Sequence, residues 1–428
     1  MTTFGLRREW ITQPNIRTEL DATFADLIIE VGGVNITKFS GDYDAPSESI
    51  ALPVYGIAEW LAENWWSLLW EPKKNEDRGD SRQFKYRHSL LAAQQGFALP
   101  DLTIIPNGDN IILKARSAYN SFAEVKFSQA ATCLAPRADI ERVLRAFVAD
   151  TVDRLNSLNI KETDLHELWS NIVETSDEEH LFCKLTGALG LSPYSASDKF
   201  AEKLEKMLEQ LGESLLFDLC LASTYEEFDG AAEQAVAAKL NNYSSLADLA
   251  SLSAIEPPAE DLSLPAWQIG VNAAKRVRDR LNISDTDPLG GRKFLDLLRV
   301  DVHSPIAAAP IDTDDAPVLG VVLKDGNDAR IGLLQPHERQ RRFSATRGTY
   351  LAWTGRRMHD ARLMTWAVTR DQQASRAFAA EMTAPRAYLR NVLRNRSKNR
   401  EEIISETAAT LGVSEGVIVK QAENNGII

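Results

Sequence analysis

Cysteine is scarce in this chain. Three residues, Cys133, Cys183 and Cys220, stand among 428. They are too few and too scattered for a disulfide framework or a zinc finger, and suit buried thiols in a reducing compartment. No apolar run approaches the ~18 residues that a membrane helix needs, so no membrane association is expected. The opening decapeptide MTTFGLRREW lacks the apolar stretch of a secretory signal, and a cytoplasmic protein is the expectation. A Walker loop, a Gly-x-Gly-x-x-Gly fingerprint and a nucleophile elbow are absent as well. None of the six histidines opens a His-Glu-x-x-His pair. His166-Glu167 and His337-Glu338 supply the first half, but Ser170 and Arg341 stand where the second imidazole belongs. No metal and no cofactor is therefore expected.

What is present is an ordinary globular composition, 44% hydrophobic and 25% charged, which excludes whole-chain disorder and coiled-coil rods. The length suits about two to three domains. The net charge of −13 is unevenly distributed. Residues 329–400 hold fifteen Arg and Lys398 against Glu338, Asp360, Asp371 and Glu381, a net +12. Residues 401–428 carry −4, which leaves −21 on the first 328 residues. An acidic body followed by a basic block argues against a surface that coats nucleic acid throughout, and marks one segment where polyanion contact is conceivable.

Periodicity predicts an α+β protein, predominantly helical. Residues 1–159 form a mixed α/β amino-terminal domain. In it a strand over 25–31 is followed by a Trp-rich core helix over 57–71, a polar loop over 73–88 and strands over 102–105, 111–114 and 123–127. A well-phased helix over 138–158 closes the domain. Residues 160–255 form a helical domain, with helices expected over 162–174, 177–189, 195–211, 213–222, 226–240 and 244–252. Residues 256–400 form a third domain, with helices over 266–281 and 292–298, a strand over 299–303 and a hairpin around Asp325-Gly326-Asn327. Mostly helical chain is expected from His337 to Arg396. Residues 401–428 form two short helices broken at Gly412, with Ser414 capping the second.

One pattern is nuclease-like. Asp101 precedes a strand, and Glu124 and Lys126 follow on another. Two carboxylates on adjacent strands hold Mg²⁺ while a lysine orients water. Simple polar alternation of an exposed strand face accounts for the same residues.

The last third carries a more specific order of elements. Arg341-Arg342-Phe343 enters a helix, Phe378-Ala379-Ala380-Glu381-Met382 and Pro385 follow, and Gly412-Val413-Ser414 turns the terminal helix pair. Over roughly residues 265–428 this resembles the ImmA/IrrE family of zinc metallopeptidases, found in bacterial stress responses and on mobile elements. The resemblance implies a zincin-like domain with a carboxy-terminal helix-turn-helix. Aligned on Phe343, the family's His-Glu-x-x-His falls on Arg347, Gly348 and Leu351. Aligned on Phe378, the later Glu ligand is sought at Gln372 or Ala374. Every ligand and the general base are thus replaced, and the resemblance implies a degenerate, non-catalytic member.

The basic block coincides with these positions. Arg341, Arg342, Arg347, Arg356, Arg357, Arg386, Arg390 and Arg394 are candidate binding residues. Arg386, Arg390 and Arg394 share one helix face at i, i+4, i+8. The block either docks on the acidic body or an acidic partner protein, or contacts nucleic acid. Three functions stay open: a regulatory or sensor subunit within a complex, in stress response or phage defence; a Mg²⁺-dependent nuclease; and a DNA-binding transcriptional regulator.

Overall fold

The computed structural model describes residues 3–41, 46–74, 81–93, 96–121, 123–241, 245–259, 261–303, 316–355, 359–394 and 399–428. It divides into two compact units, residues 1–201 and 202–428. Helix outweighs strand, and every sheet is small and antiparallel.

The first unit contains β1 (Phe4–Trp10), α1 (Glu19–Ala22), β2 (Phe24–Val31), β3 (Val34–Asn35), β4 (Phe39–Gly41), β5 (Ile50–Pro53), α2 (Tyr55–Glu63), α3 (Trp65–Trp70) and α4 (Ser81–His88). It continues with β6 (Asp101–Asn107), β7 (Asn110–Arg116), β8 (Ala118–Asn120), β9 (Val125–Phe127), β10 (Ala131–Pro136), α5 (Arg137–Ser157), α6 (Asp164–Val173) and α7 (Asp177–Ala188). Three sheets form, ordered β1-β2-β3 with β5 also on β2, β10-β7-β6, and β4-β9-β8. In β2, strict alternation buries Ala25, Leu27, Ile29 and Val31 on one face, as period-two patterning requires. The expected single helix over 57–71 is two helices, interrupted at Asn64. All of Trp65–Trp70 is buried, with Trp66 and Trp70 edge-on to His180 of α7. The expected loop over 73–88 contains α4, which is fastened by a hydrogen bond from Trp60 Nε1 to the Tyr86 carbonyl. Its polar face hides it from a hydrophobic-periodicity reading.

α8 (Asp198–Leu211) spans the boundary. The second unit then contains α9 (Glu213–Ala222), α10 (Phe228–Leu240), β11 (Ser245–Asp248), α11 (Ala250–Ser253), α12 (Ala266–Arg280), α13 (Gly290–Leu297), β12 (Val318–Asp325) and β13 (Asp328–Leu333). After these come α14 (Glu338–Thr354), β14 (His359–Thr365), α15 (Arg370–Thr383), α16 (Arg386–Leu393), α17 (Arg400–Leu411) and α18 (Glu415–Asn424). The helical segment 160–255 is accordingly divided. α6 and α7 pack on α2 and α3, whereas α9 and α10 pack on the sheet of the second unit.

That sheet runs β11-β13-β12-β14. Two of its strands were not expected, since 244–252 was read as helix and 337–396 as mostly helix. β11 is an edge strand of four residues paired only to β13, and β14 pairs with β12 across Val322–Arg362 and Leu323–Ala361. Short strands set by long-range partners leave little local signal. No strand forms over the described residues 299–303.

Successive strand residues face opposite ways, and this fixes the layers. A Cβ on Gly332 would fall 2.3 Å from the Ala238 carbonyl of α10. Its neighbour Ile331, with Val322, instead lies 3.2 Å from where a Cβ on Gly348 of α14 would stand. α10 and α14 therefore cover opposite faces of the sheet, and α15 and α12 pack beyond α14. One apolar cluster joins these layers, with Phe294, Tyr350, Leu351, Trp353 and Phe378 among its members. A second cluster binds α16, α17 and α18 through Leu389, Ala408, Leu411, Val413 and Ile418. Gly412 turns α17 into α18 at φ +65°, a conformation that favours glycine. Ser414 occupies the N-cap of α18 without a side-chain cap hydrogen bond.

Candidate functional site

α14 sits between the sheet and α15 and is buried from Ser344 through Trp353. A helix so enclosed is normally apolar all round, yet this one carries Arg347 at its centre with no solvent exposure. Arg347 Nη2 donates to the Thr365 carbonyl at 2.7 Å and to Gln372 Oε1 at 2.8 Å. Its Nε donates to Ser375 Oγ at 3.3 Å. Nη1 is buried and has no hydrogen-bond partner among the described residues. Burial pushes the guanidinium well below its ordinary pKa, and the nearby Arg376 cation adds to the effect.

Trp366 links the two arginines. The Arg347 guanidinium carbon lies 5.4 Å from the Trp366 ring centroid and that of Arg376 lies 5.8 Å from it, within cation–π range. Arg376 Nη1 donates to the carbonyls of Thr365 and Ala367 at 3.3 and 3.1 Å. Burial lowers its pKa from 12.5 to about 10, against the pull of Asp371. Trp366 Nε1 is a second buried donor without a partner.

Asp371 is the acid whose charge acts on both arginines, and its oxygens are committed elsewhere. They accept from Arg362, from Thr369 Oγ1 at 2.6 Å and from the Gln372 amide at 2.8 Å. Arg362 also grips Asp218 of α9 through both carboxylate oxygens, at 2.9 and 3.1 Å. The two carboxylates flanking Arg362 hold its guanidinium charged, well above the ordinary pKa, despite its burial. Arg347, Arg376, Arg362, Asp218 and Asp371 together carry a formal charge of +1.

The other two motif positions offer no metal donor. Gly348 has no side chain and faces Ile331 and Val322. Leu351 belongs to the apolar core. Zinc needs lone pairs from imidazole, thiolate or carboxylate, and a guanidinium presents only N–H groups. The residues present do not fit the metal that the resemblance implies for intact members. Among the described residues no group of three or more His, Cys, Asp or Glu is arranged to hold a metal ion.

The expected arginine face is largely spent inside the protein. Arg341 donates to the carbonyls of Val302, Gln335 and Pro336, at 2.8, 3.3 and 2.6 Å. Arg342 is buried, donating to the Gly412 carbonyl at 2.6 Å and pairing with Glu338, which ties α14 to the turn between α17 and α18. Arg370 donates to the carbonyls of Asp261 and Leu264. Arg386 lies 3.5 Å from the buried Glu381, whose carboxylate burial pushes upward in pKa and whose other oxygen accepts from Gln421. Arg390 and Arg394 are exposed and have no ion-pair partner among the described residues. Arg356 and Arg357 lie outside the described residues.

The nuclease pattern does not assemble as expected. Asp101 opens β6 in one sheet, whereas Lys126 is on β9 in another. Glu124 is in the turn before β9, exposed and at φ +53°, rather than on a strand. The strand over 123–127 begins only at Val125, because β9 pairs with β4 and β8 and not with β6.

Trp366, Ser375, Asp218 and Asp371 take part in this constellation although the sequence did not single them out. No family model, curated protein or solved structure matches this chain.

Proposed function

We propose that this chain is a non-catalytic relative of the ImmA/IrrE peptidases that serves as a regulatory or sensor subunit, as in stress-response or phage-defence complexes. One observation carries the reading. Arg347, aligned with a first histidine ligand, and Gln372, one of the two positions with Ala374 where the carboxylate ligand is sought, are hydrogen-bonded to each other at 2.8 Å. On that alignment a guanidinium and its acceptors stand in place of metal ligands, and a third position, Gly348, offers no base.

A subunit of this kind works by binding. α16, which carries the exposed Arg390 and has the exposed Arg394 as its C-cap, packs on α17 and α18, whose Glu401, Glu402, Glu406, Glu415 and Glu423 are exposed. Those acids would repel a phosphate backbone beside the arginines. A mixed pattern of charges suits an acidic protein with a matching arrangement better than it suits DNA. The terminal helix pair then acts as an interaction module rather than as a major-groove reader.

The test has two parts. Elemental analysis of the purified chain returns no stoichiometric zinc, and unfolded protein substrates are not cleaved. Stoichiometric zinc that disappears on substitution within residues 337–381 overturns the reading. Copurification from the native host recovers an acidic protein, and the pair Arg390→Ala and Arg394→Ala releases it. Recovery of nucleic acid instead, lost with the same pair, transfers the partner to DNA or RNA.

A further inference from the structure

The hydrogen bonds that Arg347 makes do not explain why it is there. Two of its three acceptors have a second donor, and the third is itself a donor. The Thr365 carbonyl also receives Arg376 Nη1 at 3.3 Å, and Gln372 Oε1 also receives the Thr365 amide at 3.2 Å. Ser375 Oγ is engaged as donor to the Gln372 carbonyl at 2.8 Å. Removing the guanidinium would strand none of these groups. Keeping it strands a cation, since burying a charge without a counter-charge costs several kcal/mol even after relaxation.

The surplus is directional as well as electrostatic. Arg347 Nη1 and Trp366 Nε1 are both buried donors without acceptors among the described residues. Arg347 and Arg376 lie 5.4 and 5.8 Å from the same indole ring. Native proteins rarely leave two such donors unfilled in one place. What is missing is an acceptor carrying one negative charge, which would bring the +1 sum of the region to zero.

The geometry points to a binding site for a small free carboxylate of formate or acetate size, held by Arg347 Nη1, Arg376 and Trp366 Nε1. A carboxylate offers two oxygens in one plane, the complement of guanidinium and indole N–H groups, and brings a single charge. A doubly charged oxyanion would overshoot the surplus by one. A macromolecular ligand does not fit, because Arg347 is wholly enclosed. Trp366 and Arg376 are the partly exposed members, so entry lies on their side. This site is independent of the peptidase resemblance and requires no metal.

The test is thermal unfolding of the full chain with sodium formate, acetate or chloride, each exchanged against sodium sulfate at constant ionic strength. The melting temperature of the wild type rises saturably with formate and acetate, and less with chloride. Arg376→Gln weakens the midpoint concentration by about tenfold or more, as loss of a charged donor predicts. Trp366→Phe keeps the ring and removes the N–H, and weakens it by about threefold to tenfold. A wild type without a saturable rise overturns the site, as does an unchanged midpoint in the variants that fold. An equal response to chloride and formate overturns the carboxylate assignment.

Discussion

Each unit buries a cluster of cationic side chains, and the two clusters are built differently. In the first unit Glu71, only slightly exposed, accepts from Arg87 Nε and Nη2 at 2.7 and 2.6 Å. His88 Nε2 faces the same carboxylate at 3.0 Å, while Nδ1 donates to the Ile104 carbonyl at 2.7 Å and the ring stacks on Phe84. Both carboxylate oxygens and both ring nitrogens are engaged. In the second unit Arg347 is buried more completely, has no carboxylate, and keeps one nitrogen unpartnered. The first cluster is a closed structural ion pair that holds α3 and α4 to β6. The second is open in charge and in hydrogen bonding, the condition of a site awaiting a ligand.

The contrast predicts opposite responses to substitution. Removing the carboxylate of a buried pair leaves its cation stranded, so Glu71→Gln is expected to lower stability by about 3 kcal/mol in urea unfolding. The effect has a pH signature. Burial would raise the Glu71 pKa, but Arg87 and His88 pull it from its ordinary 4.5 down to about 2. The carboxylate's contribution is therefore complete above pH 4.5 and is lost as pH falls toward 2. Urea titrations down that range should show the gap between wild type and Glu71→Gln closing.

Asp218→Asn makes Arg362 resemble Arg347 by removing one of its two carboxylates. The loss of a charged fork predicts a destabilisation of about 2 kcal/mol, smaller than at Glu71 because Asp371 remains. Arg347→Met deletes the stranded cation and keeps its length. It is expected to stay within about 1 kcal/mol of the wild type, or to exceed it, because the Thr365 carbonyl and Gln372 Oε1 keep a second donor and Ser375 Oγ keeps its bond to the Gln372 carbonyl. A loss of about 3 kcal/mol in Arg347→Met would break the comparison and make Arg347 a structural partner like Arg87.

Elements with strong local signals were legible in the sequence. α5 follows its 3.6-residue period through Ile140, Leu144, Phe147, Thr151 and Leu155, all buried. The β12–β13 hairpin turns where Asp325-Gly326-Asn327 predicts, with Gly326 at φ +62°. β11 and β14 were not legible, because their stability comes from partners distant in sequence rather than from their own few residues. The site was half legible. Spacing brought attention to Arg347 and Gln372 on separate helices, and the structure joins them. Charge counting suggested an exposed cationic face, whereas Arg341, Arg342, Arg347, Arg362, Arg370 and Arg376 point to internal carbonyls and carboxylates. A sequence records how many cations a segment holds but not which carbonyls they reach, and arginine is the cation best suited to such forked internal bonds.

Arg390 and Arg394 are exposed members of the same basic block, and they extend the comparison to cations at the surface. Nothing is desolvated when they are removed, so Arg390→Ala with Arg394→Ala should change stability by no more than about 0.5 kcal/mol. Their effect belongs to association. With an acidic protein partner the double substitution should slow the on-rate and flatten its dependence on ionic strength, with a smaller change in dissociation. With DNA it should reduce the slope of log affinity against log salt by about two, one for each phosphate contact. Buried arginines such as Arg342 should yield the reverse pattern, a loss of stability without a salt-dependent loss of binding. Stopped-flow association at several salt concentrations, set beside urea unfolding of the same variants, separates the cations that hold the fold from those that meet a partner.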